Sequence, residues 1–302
     1  MDNVYYQHTT APSFEAKLIQ SIMDLLRIKQ KLSKKMTTNR FEQNPAKPTK
    51  SLWRNYHIHE AEQNGRKVWN ISPKENQSDV IILYLHGGAY VSNINKQHWG
   101  LIEQLAHQTN ARIVVPDYPL APKNSCTDTY AFIEIIYHKL ITDYPTKRIV
   151  FIGDSAGAGL AFGFVQQLRN TQQQQPNQLI LFSPWLDVTM SNPQIEELDK
   201  NDKLLSVTGL KDAGKSYAGK LSLKDYRVSP IYGDLTSLCG LSIFTGTNDI
   251  LNADAQKCQQ LMTEQQLNIN YFEYPKIFHD WVIISNLKES QDVIHKVSQL
   301  IN

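Results

Sequence analysis

From Val80 onward, short continuous apolar runs alternate with longer stretches of helical periodicity, and this alternation constrains the fold more than any other feature. The runs of strand length are Val80–Leu85, Arg112–Pro116, Arg148–Ile152, Gln178–Phe182, Leu241–Thr245 and Ile269–Tyr274. Between and after them, helical patterns fall at 96–109, 127–141, 156–170, 253–266 and 286–300. Strands that are apolar on both faces need cover on both faces, and parallel neighbours need a crossover of helix length. The pattern predicts an α/β protein whose mostly parallel sheet is flanked by helices. Tyr56–Glu60 and Lys67–Ile71, with Asn64-Gly65 as the turn, read as a hairpin adding antiparallel strands at one edge.

Two segments stand outside this rhythm. Residues 188–227, after the sixth strand, are polar and helix-prone at Ile195–Leu198 and Thr208–Ala218. Residues 1–50 carry nine Lys or Arg against four Asp or Glu, while the whole chain of 302 residues is only +2. Apolar residues at Phe14, Leu18, Ile22, Leu25 and Leu32 precede or join the cations Lys29, Lys31, Lys34 and Lys35. That is the pattern of one amphipathic helix with its cations near the negative C-terminal end. Docking on its own domain accounts for it; a lid over an apolar pocket and a lipid-touching surface are the functional alternatives. The expected organisation is a core of 51–187 and 228–302, capped by 1–50 and by the 188–227 insertion.

Composition closes off other classes. Apolar residues make up 41% and charged residues 20%, a globular balance. No apolar run approaches the roughly 18–20 residues of a membrane helix, so no integral membrane segment is expected. The basic run lacks interleaved aromatics, so no nucleic-acid partner is expected. Three scattered cysteines and no visible secretory signal suit a reducing cytoplasm. His57 and His59 share one strand face but have no third ligand nearby, so no metal is expected.

The chemistry is concentrated where strands end. Gly153-Asp154-Ser155-Ala156-Gly157 follows Arg148–Ile152 and opens a helix. Glycines flanking a strand-to-helix turn expose the Ser155 hydroxyl and put the Ala156 amide at a helix N-terminus, where it can meet an oxyanion. His86-Gly87-Gly88-Ala89-Tyr90 follows Val80–Leu85, and its amides can supply two more donors, with His86 as a structural residue. A serine nucleophile needs a base and an orienting carboxylate downstream. His279 follows Ile269–Tyr274, whereas His295 lies within a helix near the terminus. Asp249 leaves Leu241–Thr245; Asp254 at a helix start and Asp187 before the insertion are the alternatives, and Asp280 adjoins His279 too closely to orient it.

These motifs together resemble the hormone-sensitive-lipase-like esterases of the α/β-hydrolase superfamily. The resemblance rests on the His86–Ala89 loop, the Gly153–Gly157 elbow, Asp249-Ile250-Leu251 and His279-Asp280-Trp281. Pro116–Pro122 is similar to that family's Tyr-Arg-Leu-Ala-Pro-Glu segment, and Ser183–Asp187 and Ser229-Pro230 fall at the family's places. The similarity spans residues 75–300. It implies the α/β-hydrolase fold, a Ser155–His279–Asp249 triad, and an oxyanion hole from Gly87, Gly88 and Ala156. It implies hydrolysis of a small-molecule ester of short to medium acyl chain, with no metal or cofactor, and leaves a homodimer through an edge strand open. Tyr90, Trp185 and Tyr217 are the expected pocket aromatics, with core packing as the alternative. Two positions depart from the family: Ala89 replaces the third glycine of its loop, and Pro119 replaces an arginine. An arylformamidase-type amidase is the alternative activity, and a non-catalytic small-ligand receptor is the alternative class.

Overall fold

The computed structural model describes residues 4–301 except 39, 42, 43 and 76. The chain opens with β1 (Tyr5–Gln7), α1 (Phe14–Leu25), α2 (Ile28–Thr38) and α3 (Lys50–Asn55). A hairpin of β2 (Tyr56–Gln63) and β3 (Arg66–Pro73) follows; Asn64 and Gly65 both take positive φ, 50° and 73°, as the expected two-residue turn requires. Then come β4 (Val80–Leu85), α4 (Lys96–Thr109), β5 (Arg112–Pro116), α5 (Cys126–Asp143), β6 (Arg148–Asp154), α6 (Ser155–Asn170) and β7 (Gln178–Phe182). The chain ends with α7 (Ile195–Asp199), α8 (Val207–Ala218), β8 (Gly240–Asn248), α9 (Asn252–Glu264), β9 (Ile269–Phe278) and α10 (Lys288–Ile301).

All nine strands form one sheet in the order β1-β9-β8-β7-β6-β4-β5-β3-β2. It is parallel from β1 through β5, and β3 and β2 add antiparallel strands at the far edge. β4 shows why its sequence is apolar throughout. Ile81, Leu83 and Leu85 enter one core with residues of α5 and α6, while Val80, Ile82 and Tyr84 enter the other with α4 and α10. Strand periodicity of two divides a uniformly apolar run between two cores.

The N-terminal segment differs from the expected single helix. Leu26 caps α1, Arg27 takes φ 51°, and α2 sets off in a new direction to pack on α8. β1 is also an additional strand, so the insertion follows the seventh strand in chain order. β1 pairs with β9 and covers that edge of the sheet. Lys29 on α2 fastens the segment to the 188–227 insertion, its ammonium donating to the Asp199 carbonyl (2.6 Å) and carboxylate (2.9 Å).

Candidate active site

β6 ends at Asp154 and α6 begins at Ser155, whose φ of 51° is rare for a residue with a side chain. The elbow is tight because α6 lies directly against the end of β4: a Cβ on Gly157 would run into the carbonyl oxygens of Leu85 and His86. Asp249 follows β8 and His279 follows β9, so all three residues stand at C-terminal ends of parallel strands. The structure brings them together. Ser155 Oγ lies 3.0 Å from His279 Nε2, and His279 Nδ1 lies 2.8 Å from Asp249 Oδ2. The carboxylate only accepts, so Nδ1 carries the hydrogen and Nε2 is free to accept from the serine hydroxyl. Asp249 is held in turn by the Leu251 amide at 2.8 Å. Burial alone would lower the His279 pKa, but the Asp249 carboxylate, with Asp202 and Asp154 behind it, outweighs burial and raises it.

The loop after β4 corrects one expectation. The Gly87 amide donates to Asp154 Oδ2 at 2.8 Å, so it is already occupied and is not a free oxyanion donor. Gly88 and Ala89, not Gly87, line the cavity beside Ser155. Gly88 has φ 120°, a conformation that glycine alone takes readily, and Ala89 has φ 53°. Ala89, the residue that replaces a glycine, thus stands beside Ser155 where Gly87 does not.

Asp154 organises this loop. It accepts from Gly87, from the Tyr84 hydroxyl and from His98 Nε2 at 3.2 Å. The Asn95 amide donates to His98 Nδ1 at 3.0 Å, which fixes the hydrogen on Nε2. His98, Asp154 and Asp280 are close enough to surround a cation, but that tautomer leaves Nε2 without a lone pair for a metal. His57 and His59 lie exposed on β2 and take no part in the site.

The cavity beside Ser155 has a volume of about 320 Å³. Met23, Leu32 and Met36 wall it from the N-terminal helices, and Leu204, Leu205 and Leu210 from the insertion. Tyr90, Trp185 and Tyr217 do not line it, which corrects their expected role. They are fully buried as a stack, Tyr90 lying 3.6 Å from Tyr217 and 5.4 Å from Trp185 between ring centroids. The stack supports the site from behind: a Cβ on Gly159 of α6 would lie 2.7 Å from the Tyr90 hydroxyl.

The other carboxylates fall into bracing roles. Asp187 accepts from the Thr189 amide (2.8 Å) and the Tyr232 hydroxyl (2.7 Å), and Asp254 from Asn192 Nδ2 (3.0 Å). His295 is exposed on α10. Asp202 carried no sequence signal, yet it accepts the amides of Leu204, Leu205 and Ile250, tying the insertion to the Asp249 loop. Arg66 from β3 pairs with Asp117 at 2.9 Å and donates to the Tyr118 carbonyl, bringing a guanidinium to the segment where Pro119 replaces the family's arginine.

Known proteins place the chain in a family. The profile of the alpha/beta hydrolase fold family matches residues 82–283, and the chain belongs to that family. An esterase of Acinetobacter venetianus is 29% identical over 203 residues, 67% of each chain. An acetyl-hydrolase of Streptomyces hygroscopicus is 28% identical over 206 residues, 68% of this chain and 69% of that one. Among solved structures, a candidate esterase of Staphylococcus aureus superposes with a TM-score of 0.82 at 30% identity, over 90% of this chain and 91% of the other. These relatives bear out the resemblance read from the motifs, and the protein is a carboxylesterase-like hydrolase. Among the described residues, no helix is long and apolar enough to cross a membrane.

Proposed function

We propose that this protein hydrolyses short- to medium-chain carboxylic esters through a Ser155–His279–Asp249 triad and an acyl-enzyme. The observation that carries the reading is the hydrogen-bonded line from Ser155 through His279 to Asp249, on the wall of an apolar cavity. His279 takes the serine proton as Oγ attacks the ester carbonyl, and Asp249 holds the imidazole in the tautomer that accepts it. The amides of Gly88, Ala89 and Ala156 receive the oxyanion, each worth roughly 3 kcal/mol of transition-state stabilisation. His279 then protonates the leaving alcohol, and water repeats the sequence on the acyl-enzyme. The six aliphatic wall residues suit an acyl chain rather than a polar one. Three free cysteines fit a reducing cytoplasm.

The test is turnover of p-nitrophenyl esters from acetate to dodecanoate, with N-formylkynurenine included to separate an amidase. Wild type is expected to favour short to medium chains, and Ser155→Ala to lose all ester turnover while its circular dichroism stays unchanged. A folded Ser155→Ala protein that still turned over the esters would remove Ser155 from the mechanism.

A further inference from the structure

The outward face of α1 is apolar where a solvent-facing helix is ordinarily polar. Phe14 is 75% exposed, Leu18 47%, Ile22 44% and Leu25 81%, a row spaced along one side of the helix. Leu26, just beyond, is 48% exposed. This row does not attach the helix to the protein. Ala16, Ile19 and Met23 form a separate row that packs on the core, and Ser13 caps the first turn. Of the nine large apolar side chains exposed among the described residues, seven lie between Val4 and Leu26. Such clustering marks an interaction surface rather than ordinary surface scatter.

The stretch that follows the row in the chain is cationic. Between residues 14 and 40 the exposed cations are Lys17, Arg27, Lys31, Lys34, Lys35 and Arg40. The exposed anions are Glu15 and Asp24, and Asp24 already lies 3.4 Å from Lys203. An apolar row followed in the chain by a cationic helix that touches its own is complementary to a surface that offers hydrocarbon beneath anionic headgroups. The same two helices wall the cavity beside Ser155, through Met23, Leu32 and Met36.

We infer that the Phe14–Leu18–Ile22–Leu25 row is a docking face for an anionic lipid surface, from which the hydrolase draws lipid-borne esters. The substrate half of this inference rests on the ester-hydrolase reading above; docking itself requires no catalysis and is measured without it.

Full-length Ser155→Ala protein is sedimented with vesicles of phosphatidylcholine alone and of phosphatidylcholine mixed with phosphatidylglycerol. It is expected to pellet with the mixed vesicles, less with phosphatidylcholine, and less again as salt rises. Adding Phe14→Ser, Leu18→Ser and Leu25→Ser together lowers partitioning about a thousandfold, since each inserted side chain is worth about tenfold or more. The same three changes in the Ser155 protein leave the rate on soluble p-nitrophenyl acetate unchanged. Lys31→Glu, Lys34→Glu and Lys35→Glu together abolish the preference for the anionic vesicles. Protein that stays in the supernatant with the mixed vesicles overturns the inference. A dimer that the three serine substitutions break, seen by sedimentation velocity, also overturns it and assigns the row to a second copy. An inactive wild type that still pellets would sink the ester reading and leave the docking face standing.

Discussion

Asp154 and Asp280 are the chain neighbours of Ser155 and His279, and they act on the site through the loop after β4. Asp154 holds the Gly87 amide, which sets where Gly88 and Ala89 lie. Burial alone would raise the Asp154 pKa, but the His98 ring and the Tyr84 hydroxyl outweigh it and keep the group ionised. Burial and then the Asp154 charge push Asp280 well above the ordinary carboxylate value. Asp154→Asn removes the charge that holds the Gly87 amide and His98, and turns an NH2 toward the Tyr84 hydroxyl, which in the wild type donates to the carboxylate. We expect kcat to fall about 10–100-fold with KM little changed, because the loop is displaced rather than the binding wall. Asp280→Asn preserves shape and neutrality and is expected to stay near wild type. Equal kcat in the two variants would separate the oxyanion loop from Asp154. At His279 the raised pKa has a kinetic sign: only neutral imidazole accepts the serine proton. The acid limb of kcat/KM should therefore lie above the ordinary histidine value. Asp249→Asn removes the charge that raises it, so the limb should move to lower pH as the rate drops about 10⁴-fold. A limb that stayed in place would mean another group sets it.

At the scale of elements, α2 and α8 meet over the cavity so closely that a Cβ on Gly209 would lie 3.0 Å from Met36 Sδ. Leu32, half-buried on α2, faces the same cavity. Leu32→Trp is expected to narrow it and lower kcat/KM for decanoate relative to acetate by about tenfold or more. An unchanged ratio across the p-nitrophenyl series would put the acyl chain elsewhere. The core elements were legible in the sequence because each parallel strand from β4 to β9 holds an apolar run, and Ser155, Asp249 and His279 each follow one. The hinge at Arg27 was not, since the apolar spacing runs on through Leu32 and arginine carries no signal for left-handed backbone. Nor was the stack of Tyr90, Trp185 and Tyr217, because a pocket wall and a packed core call for the same aromatic side chains. The choice between the Gly87 and Ala89 amides depends on a carboxylate 67 residues away in the chain, so local sequence could not make it.

Over the whole molecule, buried titratable groups set how stability changes with pH. Burial, then Asp249, pushes Asp202 up to about 6; burial, then the Asp187 charge, does the same to Asp254. Asp280 stands higher still. Near pH 5 the folded protein therefore holds three protons that the same carboxyls release when unfolded. His86 works the other way: burial, with His98 nearby, holds its pKa down to about 3, so only the unfolded chain binds that proton. The folded state keeps the net excess, and each excess proton makes stability fall by about 1.4 kcal/mol per pH unit as pH rises. Above pH 6 the Asp202, Asp254 and His86 contributions fade; the raised Asp280 carboxyl acts in the same direction as Asp202 and Asp254. The raised His279 pKa adds to it, giving stability that is full below the ordinary histidine value and lost as pH rises through the folded one. Below about pH 4 the slope reverses, because Asp154, held low in the fold, must then be protonated. The urea midpoint is expected to be higher at pH 5 than at pH 7.5, and Asp280→Asn to flatten that decline. A midpoint that rose from pH 5 to pH 7.5 would mean that Asp202, Asp254 and Asp280 are already ionised in the native state at pH 5.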